Sequence, residues 1–272
     1  MKILHLHLIS DSTGETTSLV GRASLAQFED IRAIEHLWNM VRNEKQVHEA
    51  LAGIAAHKGF VLYTLVDGTL RKVLEDGCRK LNVPYVPVID PVVAAMGAHL
   101  GEEVTAQSGG QHVMDADYFN RIEAMQFVLA HDDGQAAWNL NEADVLILGV
   151  SRTSKTPTCV YLANRGIKAA NIPIVPGVPV PEELYTANVP LIVGLTKDPR
   201  QLVQIRRNRL RMLQQDEETD YIDLETVSEE VGDARRLYTK NDWPIIDVSR
   251  KSIEETAATI LQMYNRITGP VS

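Results

Sequence analysis

The stretch DVLILGVSRTSKTP, Asp144 to Pro157, decides the fold. Val145 to Leu148 is a short apolar run of the kind that forms a strand buried on both faces of a parallel sheet. It leads straight into Gly149, and from there the spacing is G-x-x-x-x-S-K-T. That departs from the phosphate-loop pattern only at Ser154, where a second glycine is usual. Phosphate binding asks three things of such a loop. The backbone must turn tightly enough to aim several N–H groups inward, a lysine must reach the outer phosphates, and a hydroxyl must approach a magnesium ion. Gly149, Lys155 and Thr156 stand where those parts belong. Val150, Ser151, Arg152, Thr153 and Ser154 make up the rest of the expected nucleotide-binding segment. A strand before the loop and a helix after it are the context the motif needs, and together they point to a nucleotide-dependent phosphotransferase. The plainer alternative is a solvated turn whose serines and threonines only cap a helix.

Around this stretch the chain has 272 residues, enough for one large domain or two smaller ones with real cores. The hydrophobic share of 44% is that of an ordinary globular protein. A formal charge of -9 argues against nucleic acid or an anionic membrane as the main partner. A local basic face would have to come from Arg200, Arg206, Arg207, Arg209 and Arg211. Cys78 and Cys159 fit no metal spacing and read as small core residues. With no signal peptide and no apolar run long enough to span a bilayer, a cytoplasmic protein is expected.

Outward from the loop, strands and helices alternate. Met1–Ile9, Ile31–Trp38, Phe60–Val66 and Tyr85–Ile89 read as strands. Asn43–His57 and Leu70–Leu81 have helical spacing. Glu102 to Gln111, with its Ser108-Gly109-Gly110 run, reads as a connection, and Asp115 to Leu129 as a helix. Past the loop, Ile172–Val175, Leu191–Gly194 and Trp243–Ser249 are further strand candidates. Asp198 before Pro199 marks a helix start, and Ser252 with Glu255 makes a capping box for a last helix to about Ile267. Short alternating elements of this kind predict helices covering a mostly parallel sheet. The expected organisation is α/β, with a Rossmann-like N-terminal unit over 1–105, a helical connection over 106–140 and a P-loop kinase-like unit over 141–272.

Other constellations bear on chemistry. His131-Asp132-Asp133-Gly134 sets an imidazole beside two carboxylates, and either type could take the proton of an acceptor hydroxyl. It could equally be a helix-ending turn closed by Gly134. Asp11, Ser12, Thr13 and Gly14 follow the first strand in a second turn suited to an anion, though without a lysine. Asp223 and Asp247 are candidates for a strand-borne carboxylate near the metal, or for ordinary caps. Arg206, Arg207 and Arg209 cannot share one helix face, and each reads first as a solvated side chain. His5 and His7 share a strand face without a metal-ligand set and read as structural.

Taken together, SDSTGET at Ser10–Thr16, HxxDxxYFxRIxAxxF at His112–Phe127, HDDG at His131–Gly134 and ADVLILGVSRTSKTP at Ala143–Pro157 resemble the bacterial and plant pyruvate, phosphate dikinase regulatory proteins. GLT at Gly194–Thr196 and IDVSRKSIEETAATI at Ile246–Ile260 agree, so the likeness covers nearly the whole chain. The resemblance implies a bifunctional enzyme. It would inactivate its target by moving phosphate from ADP to a threonine beside the target's phosphorylated catalytic histidine. It would reactivate the target with inorganic phosphate, releasing pyrophosphate. Magnesium, a homodimer and a protein substrate are implied with it. On this reading Gly149–Thr156 holds the nucleotide, Lys155 the transferred phosphate and Thr156 the metal. His131, Asp132 or Asp133 would serve the acceptor hydroxyl, and Asp11, Ser12, Thr13 and Gly14 the substrate phosphate. Relatives directed at phosphoenolpyruvate synthase carry a first signature nearer SDGTxxTAE, so SDSTGET favours the dikinase. The rivals are that synthase, an ATP-dependent small-molecule kinase and a non-catalytic nucleotide-sensing protein.

Overall fold

A computed structural model describes residues 1–105, 116–132, 137–214 and 220–269. The chain divides into two compact units, Met1–Val113 and Met114–Ser272. Asp133, Gly134 and the start of the His112–Phe127 motif lie outside the described residues.

The first unit has four parallel strands, β1 (Lys2–Ser10), β2 (Ile31–Trp38), β3 (Phe60–Thr64) and β4 (Tyr85–Pro87), in the order β2-β1-β3-β4. Helices α1 (Glu15–Leu25), α2 (Glu44–Ala56), α3 (Gly68–Leu81) and α4 (Asp90–Leu100) complete it. Strand alternation sorts the core. Ile9, Val61 and Tyr63 meet Val47, Ile54 and Leu74 of α2 and α3, while Leu6, Leu8 and Leu62 form a smaller cluster with Leu25 of α1. His5 and His7 share one strand face, and both rings stack on His36, at 5.2 and 4.5 Å between centroids. Trp38 donates its indole N–H to His7 Nδ1 at 3.3 Å, and His7 Nε2–H donates to the His57 carbonyl at 2.8 Å. The two bonds fix one neutral tautomer, and burial holds the imidazole below its ordinary pKa.

The second unit repeats the order. Helix α5 (Ala116–Ala130) precedes β5 (Val145–Gly149), α6 (Lys155–Ala163), β6 (Ala169–Pro173) and the single turn α7 (Glu183–Thr186). Then come β7 (Leu191–Thr196), α8 (Pro199–Met212), α9 (Leu224–Lys240), β8 (Ile245–Asp247) and α10 (Ile253–Thr268). The sheet runs β6-β5-β7-β8, all parallel. Every residue of β5 is buried. Val145 and Ile147 pack with Cys159, Leu162 and Ile260 on one face. Leu146 and Leu148 pack with Leu202, Val227, Val231 and Tyr238 on the other. Both cysteines are buried and free, as the sequence suggested. The strand expected at Ile172–Val175 instead begins at Ala169 and ends at Pro173. No helix among the described residues is long and apolar enough to cross a membrane.

Each sheet reverses direction of growth beside its first strand, which puts a crevice at the carboxyl ends of β1 and β3 and another at those of β5 and β7. Ligands of open parallel sheets bind in such crevices.

Candidate functional site

The crevice of the second unit opens where β5 ends at Gly149. The next residues turn back on themselves, with Arg152 at φ 72° and Ser154 at φ 66°. Alternation of left-handed residues with ordinary ones turns successive N–H groups to the same side, the geometry of an anion-binding nest. Ser154 thus stands in a conformation that suits glycine, which is the physical reason the usual motif has glycine there. Gly149 is needed for a different reason. A Cβ on it would come within 2.4 Å of Thr153 Oγ1. Thr153 is wholly buried, and its hydroxyl donates to the Val150 carbonyl at 2.9 Å.

Lys155 is the first residue of α6 and only 6% exposed. Its ammonium donates to the same Val150 carbonyl at 3.2 Å, so it lies folded across the mouth of the loop. Thr156 follows. Its hydroxyl donates to Asp132 Oδ1 at 2.8 Å. Asn171, buried in β6, donates its amide N–H to the same carboxylate oxygen at 2.6 Å and to the Thr156 oxygen at 2.9 Å. Asp132 therefore reaches the helix start from the end of α5. His131 stacks on Phe127 with ring centroids 3.8 Å apart, and its Nδ1 donates to the Phe127 carbonyl at 2.8 Å. That leaves Nε2 buried and without a partner among the described residues.

The loop is also held from behind, by groups the sequence reading treated otherwise. Arg206 was expected on a solvated face, yet it is 1% exposed. It forms a two-pronged pair with Glu230 of α9 at 2.7 and 3.0 Å. The same two terminal nitrogens also donate to the carbonyls of Tyr221 at 3.2 Å and Ser151 at 3.1 Å, while Nε–H is buried without a partner among the described residues. Its guanidinium lies over the Tyr221 ring, 4.6 Å from the centroid, and the Tyr221 and Ser151 hydroxyls are hydrogen-bonded at 2.9 Å. The cause is legible afterwards: Leu202, Arg206 and Leu210 recur every four residues, and all three are buried.

A cleft of about 520 Å³ lies over the loop, lined by Ser151, Arg152, Ser154, Lys155 and Thr156. Lys197, immediately after β7, lines it as well; the sequence reading passed over this residue. Burial holds the Lys197 ammonium below its ordinary pKa, with Asp247 pulling the other way. The carboxylates first considered for a metal have other duties. Asp223 caps α9 by accepting from the Thr226 N–H, and Asp247 accepts from Ser249. Asp132 instead stands beside Thr156, at the start of α6. No group of three or more His, Cys, Asp or Glu among the described residues is arranged to hold a metal. Magnesium does not need one, because it takes one or two protein ligands and completes its shell with water and substrate phosphate.

In the first unit, Asp11, Ser12, Thr13 and Gly14 occupy the corresponding crevice. Asp11 Oδ2 accepts from the Val66 N–H at 2.9 Å, and Ser10 Oγ accepts from the Ser12 N–H and the Thr64 hydroxyl. Gly14, at φ 81°, precedes α1, and a Cβ there would meet Asn39 Oδ1 at 2.3 Å.

A family model described as kinase/pyrophosphorylase matches residues 6–261. A protein from Paramagnetospirillum magneticum is 55% identical over 266 residues, 98% of this chain and 86% of its own length. One from Caulobacter vibrioides is 50% identical over 98% of this chain and 85% of its own length. One from Sphingopyxis alaskensis is 51% identical over 97% of each. All three are described as "Putative pyruvate, phosphate dikinase regulatory protein". A solved periplasmic solute-binding protein from Actinobacillus succinogenes aligns over 100% of this chain and 93% of its own at 13% identity, but with a TM-score of 0.24 it carries no argument. The match over residues 6–261 and relatives 50–55% identical over nearly the whole chain place it in the kinase/pyrophosphorylase family.

Proposed function

We propose that this chain regulates pyruvate, phosphate dikinase by adding and removing one phosphoryl group. In the inactivating direction the β-phosphoryl group of ADP passes to a threonine hydroxyl of the dikinase. AMP and phosphothreonine form, and the hydroxyl proton is released. The activating direction joins inorganic phosphate to that phosphoryl group, giving threonine and pyrophosphate. Identity to dikinase regulators over nearly the full length supports the target. The observation that carries the chemistry is the loop cleft with Thr156 tied to Asp132 at 2.8 Å.

The residues divide the work as follows. The Gly149–Thr156 backbone cradles the diphosphate, with hydroxyls from Ser151 and Ser154 and the Arg152 guanidinium at its rim. Lys155 leaves the Val150 carbonyl for the transferred phosphoryl group and neutralises charge that builds there. Thr156 and Asp132 would hold magnesium, which when bound screens the phosphates and polarises the bond being broken. The second oxygen of Asp132 takes the proton of the acceptor threonine. Asp11, Ser12, Thr13 and Gly14 receive the phosphate-bearing segment of the protein substrate. On this reading residues 141–272 act as a P-loop kinase-like unit and the N-terminal unit as a Rossmann-like one.

The loop holds the transferred phosphoryl group in both directions, as the β-phosphoryl of ADP in one and as half of pyrophosphate in the other. The test is transfer of label from β-labelled ADP to the dikinase, beside γ-labelled ATP and with phosphoenolpyruvate synthase as a second acceptor. Label from ADP on the dikinase, lost in K155M, is the expected outcome. Label on the synthase alone would reassign the target. Label from ATP onto small molecules, or none on any acceptor, would overturn the proposal.

A further inference from the structure

Beside the phosphate loop lies a second cleft of about 750 Å³, at the carboxyl ends of β7 and β8. It is lined by four cations: Lys197, Arg235 of α9, and Arg250 and Lys251 of the turn before α10. Against the carboxylates of Asp198, Asp247 and Glu255 in the same lining, they leave the cleft with one more positive than negative group, in a chain of formal charge -9. None of the four side chains is in an ion pair among the described residues.

Three carboxylates share the cleft, and each also accepts hydrogen bonds from neutral groups. Asp198 Oδ1 accepts from the N–H groups of Arg200 and Gln201 at 2.8 and 3.3 Å. Glu255 accepts from the Ser252 N–H at 2.7 Å in the capping box. Asp247 Oδ1 accepts from the Ser249 N–H at 2.8 Å and its hydroxyl at 2.5 Å. Asp198 and Glu255 thus balance the positive ends of α8 and α10. Their charges still act across the cleft, Asp247 on Lys197, Arg235 and Arg250 and Glu255 on Lys251, so the four cations face a cleft with more positive than negative groups. Lys197 lines this cleft and the loop cleft alike, so the two share a wall.

We propose that the second cleft is a phosphate subsite, in which Lys197, Arg235, Arg250 and Lys251 hold a phosphoryl group next to the one in the loop. A pyrophosphate-forming enzyme must bring two phosphoryl groups together, and their mutual repulsion needs cations between and around them. Lys197 is the cation between. Arginine suits the outer position because its planar fork matches phosphate oxygens two at a time. The group held there comes either as free inorganic phosphate or on a phosphorylated side chain. The second source rests on the function proposed above, and the first on the family's chemistry alone.

Binding titrations separate the two and need no turnover. Inorganic phosphate and O-phosphothreonine are titrated calorimetrically into K155M, where the loop is weakened, and into K155M carrying R235Q and R250Q. Arg235 and Arg250 are exposed, and circular dichroism checks that the variants fold. A tenfold or greater loss for inorganic phosphate identifies the free ion as occupant. A loss of that size for O-phosphothreonine alone identifies the phosphorylated side chain. In either case R235K with R250K should restore most of the affinity. Equal affinities with and without the two glutamines would overturn the subsite, as would a loss that the lysines do not rescue. Inactivity toward the dikinase, by contrast, would leave these titrations readable.

Discussion

Replacing Glu230 with Gln tests whether the phosphate loop is held by a buried charge. Gln keeps the volume and one acceptor, so what is lost is the negative charge opposite Arg206. Arg206 is 1% exposed and Glu230 8%, and they meet through bonds of 2.7 and 3.0 Å. Removing one member of such a pair strands the other charge out of water, at a cost of about 3–5 kcal/mol. Two neutral carbonyls, Ser151 and Tyr221, remain for the guanidinium and cannot replace a carboxylate. Against a typical domain stability of about 5–15 kcal/mol the loss would be plain. The assay is urea unfolding followed by circular dichroism, with the slope checked for two-state behaviour. A second variant, R206M with E230L, fills the space with apolar groups and removes both charges. Exchanges of that kind are near neutral, so most of the stability should return. Affinity for ADP should not return, because nothing then holds the Ser151 carbonyl. A cost for E230Q below about 1 kcal/mol, the size expected of an exposed pair, would refute the reasoning. Normal ADP affinity in the double variant would refute the link to the loop.

Four further outcomes are expected. G149A should weaken ADP binding at least about tenfold, or about 1.4 kcal/mol, in a nucleotide titration, because the new Cβ meets Thr153 Oγ1 at 2.4 Å. S154G should leave stability unchanged or raise it by up to about 1.6 kcal/mol: relief of the left-handed strain gains about 1–2 kcal/mol, and the freer unfolded chain takes back about 0.4–1 kcal/mol. D132N should lower both reaction directions about 10²–10⁴-fold if Asp132 takes the proton, read by AMP and pyrophosphate release. The first unit should lose stability as pH falls below 6.5, the ordinary value for histidine, because the unfolded chain then takes up the proton that folded His7 refuses; thermal melts of wild type and H7Q across pH 5–8 should converge at the acid end.

The sequence reading was strongest where function is local. The loop is one continuous segment, so the strand ending at Gly149 and the helix opening at Lys155 and Thr156 were legible from spacing alone. It was weaker where chemistry is assembled from distant segments. Asp132 precedes the loop by a whole strand, and only the fold brings it to Thr156 through Asn171. Nothing in the local pattern of either residue announces the other. Arg206 was misread because charge was weighed above period: its place between Leu202 and Leu210 marked it as inward-facing. Lys197 had only its position after β7 to recommend it, and that meant little until the order β6-β5-β7-β8 set the switch point there. Tertiary context also overrode propensity at β6. Ala169, Ala170 and Asn171 are poor strand formers, yet all are buried beside β5 and paired with it. Helix α4 went unread because DPVVAAMGAHL is apolar on nearly every side, with no helical period to see.

The most direct test of the central claim is peptide mass spectrometry of pyruvate, phosphate dikinase incubated with this chain, ADP and magnesium, its catalytic histidine phosphorylated beforehand. One phosphothreonine beside that histidine is expected, dependent on ADP and on Lys155, and removed by inorganic phosphate with release of an equal amount of pyrophosphate. An unmodified dikinase in the presence of folded protein, or removal of the phosphate without pyrophosphate, would contradict it.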